Sequence, residues 1–100
     1  MMFGQLSYVL RFNHALAMLG VNPQHINETI RQSAQISGKE FGATPQEMAL
    51  VLASQLPLEY TIQLDPRTAM KWIRKRKINP RNPNVKNALF ALNWAKLVDY

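Results

Sequence analysis

The 100-residue chain has no cysteine, which excludes a disulfide framework and any thiolate metal site. Acid is scarce too. There are six carboxylates in all, and no close pair shares a helical face in a way suited to acid–base chemistry. The two histidines, His14 and His25, fall on separate predicted helices, with no carboxylates spaced to complete a metal site. The four glycines are scattered, so no phosphate-cradling loop is present. No G-x-S-x-G elbow occurs either. Long hydrophobic runs are also missing. The most apolar stretch, L-S-Y-V-L-R-F-N-H-A-L-A-M-L-G-V, is broken by Arg11, Asn13 and His14, whereas a membrane span needs about 20 mostly apolar residues. The N-terminus lacks the basic region and small-residue cleavage site of a secretory signal. Together these absences predict a non-enzymatic, soluble, cytoplasmic protein with no metal, no cofactor and no integral membrane association.

What is present is an ordinary globular composition, 47% apolar and 18% charged. The length suits one domain, residues 1–100. Four prolines each follow a residue able to cap a helix: Asn22-Pro23, Thr44-Pro45, Asp65-Pro66 and Asn82-Pro83. The capping side chain accepts from a free amide of the first turn, and proline suits the first helical position because its missing N–H would have no partner there. Thr44-Pro45-Gln46-Glu47 also completes a capping box. These signals predict a compact all-α domain of five helices, at about residues 5–20, 23–37, 45–56, 66–77 and 83–98.

The predicted faces differ. In the first helix Tyr8, Val9, Phe12, Ala15, Leu16 and Leu19 recur on one side. The second has a narrower stripe of Ile26, Ile30, Ala34 and Ser37, with Ser37-Gly38 ending or weakening the helix. The third, with Met48, Leu50, Val51, Leu52 and Leu56, is apolar on most sides. The fifth carries Val85, Ala88, Leu89, Leu92 and Ala95 on one face and Phe90, Trp94, Leu97 and Val98 on another. An element apolar on two faces is either central or shared with a second copy, and the expectation is a homodimer through this helix. Residues 60–64, Tyr-Thr-Ile-Gln-Leu, alternate apolar and polar and read as a short strand or, in preference, an extended loop.

Charge is divided unevenly along the chain. Three bases against five acids leave residues 1–65 at −2, acidic to neutral. Nine bases against Asp99 alone leave residues 66–100 at +8. Such asymmetry points to an anionic partner. Wound as a helix, residues 66–77 place Ala69, Met70, Trp72 and Ile73 on one side and Arg67, Lys71, Arg74 and Lys75 opposite. Arg76 and Lys77 rotate back toward the apolar side, where they meet the partial negative charge of the helix end. Arg81 and Lys86 flank the start of the last helix, whose amides are a candidate phosphate seat. The candidate contact residues are therefore Arg67, Lys71, Arg74, Lys75, Arg76, Lys77, Arg81 and Lys86. The expected function is nucleic-acid binding, DNA ahead of RNA. The alternative is a protein–protein interaction module, an adaptor, inhibitor or assembly factor, docking an acidic partner through the same face. A helix-turn-helix fits poorly, because the connections flanking residues 66–77 are not tight turns of three or four residues.

Overall fold

The computed structural model describes the backbone of residues 2–98 and the side chains from Ser7 to Val98. The order is α1 (Met2–Leu19), a 3-10 turn (Pro23–His25), α2 (Glu28–Glu40), α3 (Pro45–Ser54), α4 (Leu58–Thr61), α5 (Pro66–Arg74), α6 (Pro83–Ala91) and a second 3-10 turn (Ala95–Leu97). The expected all-α architecture is present, with five helices of at least seven residues and no strand among the described residues. α1 and α3 form the central pair. α2 and α6 pack on α3, and α5 packs on α1. All share one core, in which Phe12, Leu19, Leu50, Val85 and Leu89 are the largest fully buried side chains.

The four capping side chains bond as the sequence predicts. Asn22 Oδ1 accepts from the Gln24 amide at 3.0 Å, Asp65 Oδ1 from Arg67 at 3.1 Å and Asn82 Oδ1 from Asn84 at 2.9 Å. At α3 the box is reciprocal. Thr44 Oγ1 accepts from the Glu47 amide at 3.0 Å, and Glu47 Oε1 accepts from the Thr44 amide at 2.9 Å.

Three expectations are corrected. The predicted second helix divides in two: residues 23–25 make a single 3-10 turn, Ile26 is extended, and Asn27 caps a new helix by accepting from the Thr29 amide at 2.7 Å. The break lets Ile26 drop into the core at 7% exposure. α2 then runs on through Gly38 to Glu40, because Gly38 is the contact point. A Cβ there would overlap the Tyr8 hydroxyl and Met48 Cγ. The face of α2 turned inward is thus Ala34, Gln35 and Gly38, and Ile30, expected inside, is 53% exposed.

The segment 60–64 is neither strand nor extended loop. Pro57 starts one helical turn, which ends in consecutive turns at 62–64. No strand exists among the described residues to satisfy the backbone of another. The local bonds do so instead: the amides of Thr61 and Ile62 donate to the Pro57 and Leu58 carbonyls. Alternation fails accordingly, since Leu64 is buried while Ile62 is 72% exposed.

The last helix stops at Ala91 rather than Val98. Asn93 takes a left-handed conformation, φ 63°. The amides of Asn93 and Trp94 then donate back to the Phe90 and Leu89 carbonyls at 3.0 and 2.8 Å, a Schellman ending. This reversal carries Trp94 into the core at 8% exposure, leaving Phe90 and Leu97 outside at 62% and 47%. The second apolar face of a continuous helix does not exist; Trp94 is used within the chain. α1 and α2 end in the same motif, with Gly20 (φ 90°) and Gly42 (φ 70°) at the left-handed position.

Candidate nucleic-acid interface

The basic surface is built on α5. Thr68, Ala69 and Trp72 are buried there, Met70 and Ile73 half-buried, and Arg67, Lys71, Arg74 and Lys75 exposed. Trp72 is therefore an anchor of the helix, as its spacing implied. The start of α5 is stitched to the end of α1. The Asp65 amide donates to the Leu19 carbonyl at 3.0 Å, and the Thr68 hydroxyl donates to the Met18 carbonyl at 3.0 Å. These bonds use carbonyls that a helix C-terminus leaves unpaired. Spacing alone does not distinguish Thr68 from the other residues of this face. Its place on the apolar side of α5, beside Ala69 and Trp72, was the available signal.

The predicted cations are not equivalent. Arg67 Nε lies 3.1 Å from Asp65 Oδ1. Hydrogen bonding to Arg67 holds the Asp65 carboxyl below the usual carboxylate range. Arg67 is thus partly neutralised by its own cap residue. Lys71, Arg74 and Lys75 have no acidic partner among the described residues. Lys71 and Lys75 lie four residues apart, a like-charge spacing that destabilises a helix by about 0.2–0.5 kcal/mol.

Arg76 and Lys77 lie beyond the helix. Arg76 is left-handed, φ 58°. Its amide donates to the Ile73 carbonyl at 3.1 Å and the Lys77 amide to the Trp72 carbonyl at 2.8 Å. This is again a Schellman ending, but with arginine where glycine is usual and lysine where an apolar residue usually packs back on the helix. The left-handed conformation costs a residue with a Cβ roughly 1 kcal/mol.

The following loop is held from outside. The Thr44 hydroxyl donates to the Lys77 carbonyl at 2.7 Å, and the Asn79 amide donates to Glu47 Oε2 at 3.2 Å. Glu47, 7% exposed, therefore serves two elements: one oxygen closes the α3 capping box and the other fixes the loop. Asn79 then organises the rest, its side chain accepting from the Arg81 amide and its carbonyl from the Asn82 amide, both at 3.0 Å. The capping role of Glu47 was legible in the sequence. Its bond to a residue 32 positions away was not.

Between this loop and the α3 N-terminus lies an open cleft of about 400 Å³. Half-buried Ile73 and Pro80 supply apolar lining over the buried Ile78, and the exposed Arg76 and Lys77 supply cations. Arg81 and Lys86 are exposed on either side of the α6 start. The first amides of α6 are less open than the sequence suggested. Pro83 has no N–H, the Asn84 amide is taken by Asn82 Oδ1, and the Lys86 amide donates to the Asn82 carbonyl.

Among the described residues no group of three His, Asp or Glu side chains is placed to hold a metal ion, and no helix is long and apolar enough to cross a membrane. No family model, curated protein sequence or solved structure matches the chain.

Proposed function

We propose that the protein is a small, non-catalytic nucleic-acid-binding protein working through α5, the loop after it and the start of α6. One observation carries the reading. All nine basic side chains between residues 66 and 98 are exposed, and only Arg67 has an acidic partner among the described residues. A surface that keeps like charges together without internal partners is stabilised by an external polyanion. Phosphates spaced along a strand match a row of cations on a helix of about 13 Å length. The connection between α5 and α6, residues 75–82, is too long and too firmly tied to α3 for a helix-turn-helix. Contacts are therefore expected mainly to phosphate, with weak base preference. We further propose that binding occurs as a homodimer through the C-terminal segment, where Phe90 and Leu97 remain exposed.

The test is a salt titration of binding to duplex DNA, single-stranded DNA and RNA. The logarithm of the affinity is expected to fall linearly with the logarithm of salt concentration, by about 0.9 per neutralised phosphate on duplex DNA. Combined Lys71→Glu, Arg74→Glu and Lys75→Glu changes are expected to abolish binding with helical content intact by circular dichroism. Binding indifferent to salt and to these changes would reject the proposal. Capture of one acidic protein that survives nuclease would favour the interaction-module alternative.

A further inference from the structure

We infer that the cleft beneath the C-terminus of α5 is a seat for one unpaired nucleotide of a bound strand. The inference rests on the nucleic-acid reading above and adds a preference for single strands. Three independent features converge on it.

The first is chemical. A nucleotide joins an apolar planar base to an anionic phosphate. The cleft joins the half-buried apolar surfaces of Ile73 and Pro80, backed by the buried Ile78, to the cations of Arg76 and Lys77. Its volume of about 400 Å³ falls in the ~300–1,000 Å³ range of small-ligand clefts. A base paired and stacked within a duplex does not present its face to such a surface, whereas an unpaired base does. The one acid in the lining, Glu47, is buried and has both oxygens engaged by the Thr44 and Asn79 amides. The exposed edge is therefore cationic.

The second is conformational. Among the described residues four helices end in the same motif, and the left-handed residue is glycine twice, asparagine once and arginine once. Glycine or asparagine would take the Arg76 position with less strain. Backbone strain clusters where a residue makes a functional contact rather than where it serves folding alone.

The third is preorganisation. The Lys77 carbonyl and the Asn79 amide are tied to Thr44 and Glu47 across the cleft, so its shape is set before any ligand arrives. The loop backbone therefore needs little ordering on binding, and only the Arg76 and Lys77 side chains have to be fixed.

Arg76→Gly tests this without endangering the fold, because glycine suits the left-handed position. Lys75→Gln, at the last position before it, removes one charge outside the cleft and is the control. Affinity is measured for both variants on a single-stranded oligothymidylate and on a duplex of equal length. Loss of a charge-assisted phosphate contact is expected to weaken Arg76→Gly about tenfold on the single strand. Lys75→Gln should lose about twofold there, and both variants should lose about equally on duplex. Equal losses by the two variants on both substrates would overturn the seat while leaving the nucleic-acid proposal standing.

A second measurement does not depend on strand binding. In an NMR titration of the wild-type chain with 5′-AMP, saturable shifts confined to the amides of Thr44, Glu47, Ile73 and residues 76–79 support the seat. No shift, or shifts spread over all basic residues, overturns it, whatever the chain does with nucleic acid.

Discussion

α5 and α6 are each nine residues long, start with an Asx-Pro cap and finish in a left-handed residue followed by a bond back to the helix. After α6 that residue is Asn93, and the next is Trp94, 8% exposed within the shared core. After α5 it is Arg76, and the next is Lys77, exposed to solvent. One helix end is closed from within by an apolar side chain. The other is closed from outside, by Thr44 and Glu47 of the neighbouring α3 start. The same backbone device therefore serves two purposes. At α6 it brings a tryptophan into the core. At α5 it turns two cations off the helix and beside a cleft, and the apolar closure comes one residue later, from Ile78 at 3% exposure, together with the buried Glu47 carboxylate that holds the Asn79 amide.

The largest effect belongs to the apolar closure at the end of α6. Trp94→Ala is expected to cost about 3–5 kcal/mol, while Lys77→Ala stays within about 0.5 kcal/mol. Urea denaturation of the two variants would break the comparison if they lost similar amounts. Next comes the external closure. Glu47→Gln replaces a carboxylate that accepts from two amides by a group with one acceptor oxygen and an NH₂ facing a donor. The expected loss is about 1.5–3 kcal/mol, with faster hydrogen exchange at the Asn79 amide but not at Trp94.

The end of α2 gives an intermediate case. Gly42 is left-handed there, and the next residue, Ala43, has its carbonyl held by the Tyr8 hydroxyl at 3.0 Å. Tyr8→Phe removes that bond and should cost about 1 kcal/mol. Burial, reinforced by the negative charge of Glu47 and opposed by Arg11, pushes the Tyr8 phenol up to about 12 from 10.0. Because the folded value lies above the unfolded one, the neutral phenol is favoured in the fold. Its contribution is complete below pH 10 and is lost as pH rises through 12. Ultraviolet titration should show one tyrosine ionising near the higher value, and Tyr8→Phe should remove that phase.

The smallest effects isolate the left-handed residue itself. Arg76→Gly is expected to stabilise the fold by about 0.5–1 kcal/mol, which raises Tm by a few degrees at this chain length. Asn93→Gly should change little, within about 0.5 kcal/mol, because asparagine tolerates the conformation. Equal responses at the two sites would remove the argument that Arg76 is strained.

The site was partly legible beforehand. The stripe of Lys71, Arg74 and Lys75 opposite Ala69 and Trp72 follows from the helical repeat alone, and so does the inward placement of Trp72. Arg67 belongs to the same stripe, but its pairing with Asp65 depends on side-chain geometry that spacing does not give. For Arg76 and Lys77 the sequence indicates the charge of a helix end, which locates them without showing the left-handed turn or the cleft beside it. The latter depends on α3, whose Thr44 and Glu47 lie more than 30 residues away in sequence.

What the sequence determined by itself lies within a few residues of each signal: the Asn22, Thr44, Asp65 and Asn82 caps, the all-helical class and the division of charge near residue 65. These rest on bonds between near neighbours and on composition, which need no knowledge of the rest of the chain. Tertiary structure decided the rest. It broke the second helix so that Ile26 could be buried, and it carried α2 through Gly38 because only glycine fits against Tyr8 and Met48. It made a helical turn of 58–61 where no strand offered a partner, and it drew Trp94 inward rather than toward a second subunit. In each case burial or a distant hydrogen bond outweighed a local pattern, since one buried side chain contributes more than the propensity of the few residues around it.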